Sequence, residues 1–300
     1  MRDCETQYLD IIKDILENGI EQIGRNGPVK ACIGKSIECD LRNGSVPLLT
    51  TKRVAWKTCL KELIWFCRGE TNSKILEDKN CMIWKDNSTK AFLESRGLSY
   101  PEGELGPVYG KQWRRYTGIT HSGETKQIDQ LGDIIKQLKA DVSKEKETGL
   151  PTPISRRLIV CSWNAAQLND MALPPCHLLF QFHREGPDGL SCTVYQRSAD
   201  VGLGVPFNLF SYSCLTHAVA KMTGLKATRL VIFFANTHIY KCHIDALKQQ
   251  CQREIIENDL SIKIDDAVSV YEDISQLKES DFILQGEYKS HGKLPMEFVT

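Results

Sequence analysis

Three stretches of this chain carry side chains that could do chemistry together. Leu173-Pro174-Pro175-Cys176-His177 presents a thiol behind two prolines. Tyr195-Gln196-Arg197-Ser198-Ala199-Asp200 adds an arginine, a serine and a carboxylate, and Gly204-Val205-Pro206-Phe207-Asn208 adds an amide. A cysteine thiolate adds readily to an electron-poor carbon, and nearby cations lower its pKa. With hydrogen-bonding groups able to hold a flat polar ring, the set reads as nucleophilic chemistry on a nucleotide base. The prolines fix the backbone that would aim Cys176. The plain alternative is that Cys176 is one more buried structural thiol. His177 adds little as an adjacent base, because neighbours on a strand point to opposite faces.

Composition narrows the field. The 300 residues hold 38 Lys plus Arg against 38 Asp plus Glu, a net charge of zero. A general nucleic-acid binder shows a basic excess, so that class is set aside, while a local basic pocket for one phosphate stays open. No internal repeat or linker divides the chain, and residues 1–300 are expected as one domain. There are 12 cysteines and no Cys-x-x-Cys pair. In a chain this long that argues against a disulfide framework and against a zinc site. The thiols are expected as small buried hydrophobes in a reducing compartment. The polar start, Met1-Arg2-Asp3-Cys4-Glu5-Thr6-Gln7, has no apolar signal core. The longest apolar run, Leu230-Val231-Ile232-Phe233-Phe234-Ala235, is too short to span a bilayer. A cytoplasmic location, or a nuclear one, is expected.

Several elements must position these groups. Tyr8, Ile11, Ile12, Ile15 and Leu16 recur at helical spacing up to Gly19. Residues 24–28 form a turn cluster and 29–40 alternate like a strand. Residues 56–69 are apolar on most faces, which predicts a central buried helix ended by Gly69. Residues 117–127 are expected as a surface loop, 128–138 as a helix, and 142–149 as a flexible insertion. Strands are expected at 157–163, 178–183, 190–197 and 230–240. Pro206 suits the first position of a long helix ending at Gly224. A helix at 246–251 and short strands near 261–271 and 281–285 complete the pattern. Strands mixed with long helices point to an α+β or α/β fold.

The wider sequence resembles the thymidylate synthases, folate-dependent enzymes that methylate dUMP to dTMP. The resemblance runs almost end to end. It is carried by Pro47-Leu48-Leu49-Thr50-Thr51-Lys52-Arg53, Glu62-Leu63-Ile64-Trp65-Phe66, the run from Leu105 through Tyr109 to Arg114, and Arg156-Arg157. The three stretches described first and His238-Ile239-Tyr240 complete it. The segment between Trp84 and Gly106 is longer than in short bacterial members and resembles the eukaryotic form. The resemblance implies an α+β fold, a mixed β-sheet packed with long helices, and a homodimer formed by sheet-to-sheet packing.

It also implies roles. Cys176 would add to carbon 6 of the uracil ring, making carbon 5 nucleophilic toward the methylene group of 5,10-methylenetetrahydrofolate. That folate would then return a hydride and leave as dihydrofolate; no metal is implied. Arg25, Arg197 and Ser198 would hold the phosphate, with Arg156 and Arg157 donated by the other subunit. An arginine fork meets phosphate oxygens in pairs, whereas an isolated arginine is read more simply as a surface charge. Asn208 would pair with the pyrimidine edge, beside His177 and Gln196. Read locally, Asn208 could instead cap the helix near Pro206. His238 and Tyr240, two apart on a strand, would contact the ribose; otherwise they are core residues. Glu62 would relay protons from an apolar wall that raises its pKa, the alternative being an ion pair with Lys61 or Arg68. Tyr109, placed in a Gly-rich turn, would orient water. Ile83, Trp84, Asn87, Asp200, Leu203, Gly204, Phe207 and Val299 would line the folate site, Asp200 binding the pterin. Read alone, Trp84 is a core aromatic.

The chain also departs from the family. Gly24-Arg25-Asn26-Gly27-Pro28-Val29-Lys30 replaces the usual phosphate loop and is one residue shorter. Ala235-Asn236-Thr237 stands where Gly-Asp-Ala is usual, so a carboxylate is lost. The tail ends Met296-Glu297-Phe298-Val299-Thr300 in place of an alanine-valine pair, and altered lid closure is expected. Three alternatives stay in view: a dCMP-acting relative, which Asn208 disfavours; a cysteine hydrolase; and an inactive nucleotide-binding protein.

Overall fold

The computed structural model describes residues 3–299; Met1, Arg2 and Thr300, the end of the divergent tail, lie outside the described residues. The chain opens with helix α1, Cys4–Asn18, whose Asp3 cap accepts from the Thr6 N–H at 2.8 Å. Strands β1, Ile20–Gly24, and β2, Gly27–Asp40, follow. Then come helices α2, Trp56–Cys67, α3, Lys74–Glu77, α4, Lys90–Ser95, and α5, Tyr109–Arg115. A hairpin of β3, Tyr116–Ile119, and β4, Thr125–Ile128, leads to α6, Gln130–Thr148. The second half holds β5, Ile159–Cys161, β6, His177–Glu185, β7, Gly189–Asp200, α7, Gly204–Thr223, and β8, Lys226–Tyr240. It ends with α8, Ile244–Cys251, β9, Ser261–Ile264, and β10, Phe282–Gln285.

Six strands form one mixed sheet in the order β1-β2-β8-β7-β6-β5. All neighbours are antiparallel except β7 and β8, which run parallel. A parallel pair needs a crossover, and α7 supplies it. Fifteen of its residues are buried, which fits a helix with no polar face. The parallel pair brings the ends of β7 and β8 together, with Asp200 opposite His238. Strand ends beside a crossover collect functional groups for this reason. At the far edge, β1 and β2 turn through Arg25 and Asn26, and Gly27 takes φ 116°, a value that favours glycine.

α2 is the expected buried helix, with seven residues from Cys59 to Cys67 in the core. The face of the sheet away from α7 is uncovered. Tyr195, Phe233 and Ile159 are exposed on it. Leu179, Tyr195, Phe233 and Ser36 lie side by side in register across four strands. No helix among the described residues is long and apolar enough to cross a membrane.

Five sequence expectations need correction. Residues 117–127 are not a loop but the β3–β4 hairpin. Residues 142–149 are not a flexible insertion but the last turns of α6. Val142 packs into the core, Glu145 pairs with Arg184 at 2.8 Å, and Gly149 closes the helix at φ 67°. A charged helix end reads as loop until its distant partner is known. The strand expected over 157–163 contracts to β5. Pro206 is the third residue of α7, where its missing N–H still costs nothing. Finally, Cys4 and Cys39 are disulfide-bonded, because α1 packs its first turn on β2 with 5.1 Å between the Cα atoms. The other cysteines are free thiols.

Candidate active site

The thiol is held by its backbone. The Cys176 N–H donates to the Tyr109 hydroxyl at 2.7 Å, and the Cys176 carbonyl accepts from the Arg197 N–H at 2.8 Å. The Arg197 side chain returns to the proline pair, donating to the carbonyls of Pro175 at 2.7 Å and Pro174 at 3.0 Å. Its guanidinium lies over the Trp163 ring at 5.6 Å. The prolines thus present carbonyls that fix the cation beside the sulfur. Burial pushes the Cys176 thiol up, while Arg197 and Arg25 pull it down. The expected lowering by cations is therefore outweighed by burial within this chain.

A cleft of about 540 Å³ opens in front of the thiol, lined by Arg25, Asn26, Cys176, Arg197, Ser198, Asn236, His238 and Tyr240. The His238 and Tyr240 rings meet edge to face at 5.3 Å, as residues two apart on β8 can. Asn236 takes the place of the missing carboxylate, its Oδ1 lying 3.0 Å from Nδ1 of His238. Arg96, which sequence reasoning missed, also lines the cleft. An isolated arginine at the end of a short helix carried no signal. Arg156 and Arg157 do not reach this cleft; they are exposed ahead of β5, at the opposite edge of the sheet.

Behind the thiol lies an aromatic and polar wall. Tyr109 is the first residue of α5, not part of a Gly-rich turn. Its ring stacks on His177 at 4.0 Å and 13°. Burial draws the His177 pKa down to about 3, so the ring is neutral and unsuited to act as a base for Cys176. Asn208 lies inside α7, which removes the helix-cap alternative. Its Oδ1 accepts from Nε2 of Gln196 at 3.2 Å, and that Nε2 also donates to the Ser198 carbonyl at 3.0 Å. Glu62 accepts from Nε1 of Trp84 at 2.8 Å. Burial raises its pKa to about 7, against the pull of that hydrogen bond. Lys61 donates instead to the Lys79 carbonyl and Arg68 to the Leu277 carbonyl, so neither is committed to Glu62.

A third surface joins α2, the start of α7 and the tail. Trp84 and Asn87 are buried, and Nδ2 of Asn87 has no partner. Ile83 beside Trp84, and Leu203, Gly204 and Phe207 around the start of α7, are half-buried. Asp200 accepts from the Gly202 N–H at 2.9 Å. The tail is strapped down: the Glu297 carbonyl lies 2.7 Å from Nε2 of His243, and the Val299 carbonyl accepts from Nδ2 of Asn26 at 3.3 Å. A side chain at Gly202 would meet His243 and Met296. Among the described residues no cluster of three or more His, Cys, Asp or Glu is placed to hold a metal ion.

Comparison with known proteins gives this arrangement its context. A family model described as thymidylate synthase matches residues 6–300. The chain belongs to the thymidylate synthase family. Thymidylate synthase 1/2 of Encephalitozoon cuniculi is 46% identical over 258 residues, 84% of this chain and 83% of that protein. Thymidylate synthase of Agaricus bisporus is 41% identical over 301 residues, 98% of both chains. The bifunctional dihydrofolate reductase-thymidylate synthase of Leishmania amazonensis is 44% identical over 256 residues, which are 83% of this chain and 47% of that longer protein.

Proposed function

We propose that Cys176 is the nucleophile with which this family member methylates dUMP to dTMP. The observation that carries this is the pairing of a backbone-locked thiol with Arg197 on the neighbouring strand, both opening on one cleft. Cys176 Sγ bonds to carbon 6 of the uracil ring, and the electron pair of the carbon 5–carbon 6 bond moves toward carbon 5 and the oxygen on carbon 4. Asn208, held by Gln196, receives the pyrimidine edge. An asparagine rather than an aspartate there favours uracil over cytosine. Glu62, near half-protonation at neutral pH, steadies the developing negative oxygen through water. Tyr109 orients a water for the proton that leaves carbon 5. Cys176 departs as dTMP forms.

The residues present suit the folate. The unpartnered Asn87 amide beside Trp84 and the carboxylate of Asp200 match a flat ring rich in donors and acceptors. Ile83, Leu203, Gly204, Phe207 and Val299 would complete that wall. When bound, 5,10-methylenetetrahydrofolate supplies the one-carbon unit and the hydride.

Burial leaves the Cys176 thiol raised within one chain, and further cations beside it would lower it. We assign the exposed sheet face around Tyr195 and Phe233 to a second copy of this chain. Its Arg156 and Arg157 would join Arg25, Arg197 and Ser198 on the phosphate, with His238 and Tyr240 on the ribose. A two-fold axis makes each site borrow from the other. The deciding experiment is tritium release from carbon-5-labelled dUMP with methylene folate. Release by the wild type and none by Cys176→Ser supports the assignment; release by both sinks it.

A further inference from the structure

Three guanidiniums of this chain open on the cleft in front of Cys176. Arg25, Arg96 and Arg197 all line it, and no carboxylate does among the described residues. Asp200 acts on the Cys176 thiol from outside that lining. Several arginines elsewhere are paired with acids: Arg42, Arg114, Arg184 and Arg229 each meet a carboxylate. Like charges gathered without a counter-charge repel one another, and an anion in the cleft relieves that repulsion.

Arg96 differs from the other two in what it has left to give. Nε of Arg25 donates to Oδ1 of Asn26 at 2.8 Å. Nε and Nη2 of Arg197 are spent on the carbonyls of Pro175 and Pro174. Each has therefore lost the Nε side of its fork. Arg96 is exposed, and its guanidinium has no hydrogen-bond or ion-pair partner among the described residues. Its backbone is fixed all the same. Just past α4, Gly97 takes φ 74° and its N–H donates to the Glu94 carbonyl at 2.9 Å, while the Leu98 N–H returns to the Leu93 carbonyl at 2.9 Å. Leu93 and Leu98 are both buried, which completes a Schellman closure of the helix. The side chain thus hangs from a rigid helix end with its whole donor fork free.

We propose that Arg96 is a third arginine of this chain on the nucleotide phosphate and that it sets the preference for the nucleotide over its nucleoside. A terminal phosphate offers three strong acceptor oxygens. The planar Arg96 fork meets two of them at once, which the point charge of a lysine does not. Being exposed, Arg96 also attracts the anion before contact, an effect that salt screens. The proposal rests on the assignment of the cleft to a uracil nucleotide.

Two variants test it. Arg96→Met removes the charge and keeps the stem; Arg96→Lys keeps the charge without the fork. Calorimetry should show dUMP bound about tenfold more weakly by Arg96→Met, the loss of one charge-assisted contact, and by an intermediate factor in Arg96→Lys. The salt dependence of dUMP binding should flatten in Arg96→Met and hold in Arg96→Lys. Deoxyuridine, titrated by NMR, should bind both variants as it binds the wild type. Unchanged dUMP affinity in Arg96→Met overturns the proposal. So does deoxyuridine weakened as much as dUMP, which would make Arg96 a support of α4. Inorganic phosphate, followed by ³¹P NMR, should also bind Arg96→Met more weakly than the wild type, and equal binding overturns the proposal without any uracil present. Absence of tritium release from dUMP by the wild type defeats the uracil assignment itself, so the two failures are told apart.

Discussion

Tyr8 and Val201 lie 193 residues apart in the chain, and the Tyr8 hydroxyl donates to the Val201 carbonyl at 2.9 Å. The first helix thereby supports the residue that follows Asp200. The same turn is braced from Lys52, whose ammonium donates to the Gly202 carbonyl, and from Asp200 itself. Glu5, one turn before Tyr8, accepts from the N–H groups of Thr50 and Thr51 at 2.8 and 2.7 Å. α1 is thus a strut for the turn after Asp200.

Tyr8→Phe removes that hydroxyl without changing the ring. The buried Val201 carbonyl is left unpaired, which costs about 1–2 kcal/mol in urea unfolding. The KM for methylene folate should rise several-fold while the KM for dUMP holds. Equal changes in both would show that α1 acts on the whole cleft.

Glu62→Gln tests the proton wall. In the folded protein Glu62 holds its proton to about pH 7, against an ordinary value of 4.5. Between those two pH values the native state binds more protons than the unfolded one, so stability falls as pH rises. The wild type should lose up to about 3 kcal/mol relative to Glu62→Gln across that window and nothing further above it. Paired urea titrations at several pH values check this. The same variant should lower kcat by about 10² or more, with the KM for dUMP little changed.

Cys176→Ser should cut turnover by about 10⁴-fold or more. Binding of dUMP, measured by calorimetry, should persist within about tenfold, because Arg197 takes its position from the Pro174 and Pro175 carbonyls. Because burial raises the thiol in the single chain, alkylation of Cys176 should be slow where the protein is kept monomeric by dilution or by Phe233→Asp.

Mixing two inactive proteins tests the shared site. Cys176→Ser retains its arginines, and the double variant Arg156→Ala/Arg157→Ala retains its thiol. If the arms cross, a heterodimer holds one intact site, and a random mixture recovers about a quarter of wild-type activity. Recovery at background level would return the two arginines to an ordinary surface role.

Legibility varied with distance along the chain. α1, α2, α7 and the strands from β6 to β8 were readable because their burial follows local periodicity. The end of α6 was not, because its support is the Glu145–Arg184 pair, 39 residues apart. The β3–β4 hairpin has no apolar alternation to announce it: β4 is exposed throughout. The chemical side chains on either side of the crossover were legible as motifs.

The amino-acid sequence by itself determined which groups are available for chemistry: the Cys176 thiol behind its prolines, the Arg197 cation, the Asn208 amide and the Glu62 carboxyl in an apolar helix. Side-chain type and near-neighbour spacing are one-dimensional properties. Only the tertiary structure decided the protonation and orientation of those groups. Burial, not the nearby cations, governs the Cys176 thiol. The distant Tyr8 braces the turn after Asp200. Desolvation and hydrogen-bond pairing depend on what closes over a group in three dimensions, and the strands and helices that do so here come from both ends of the chain.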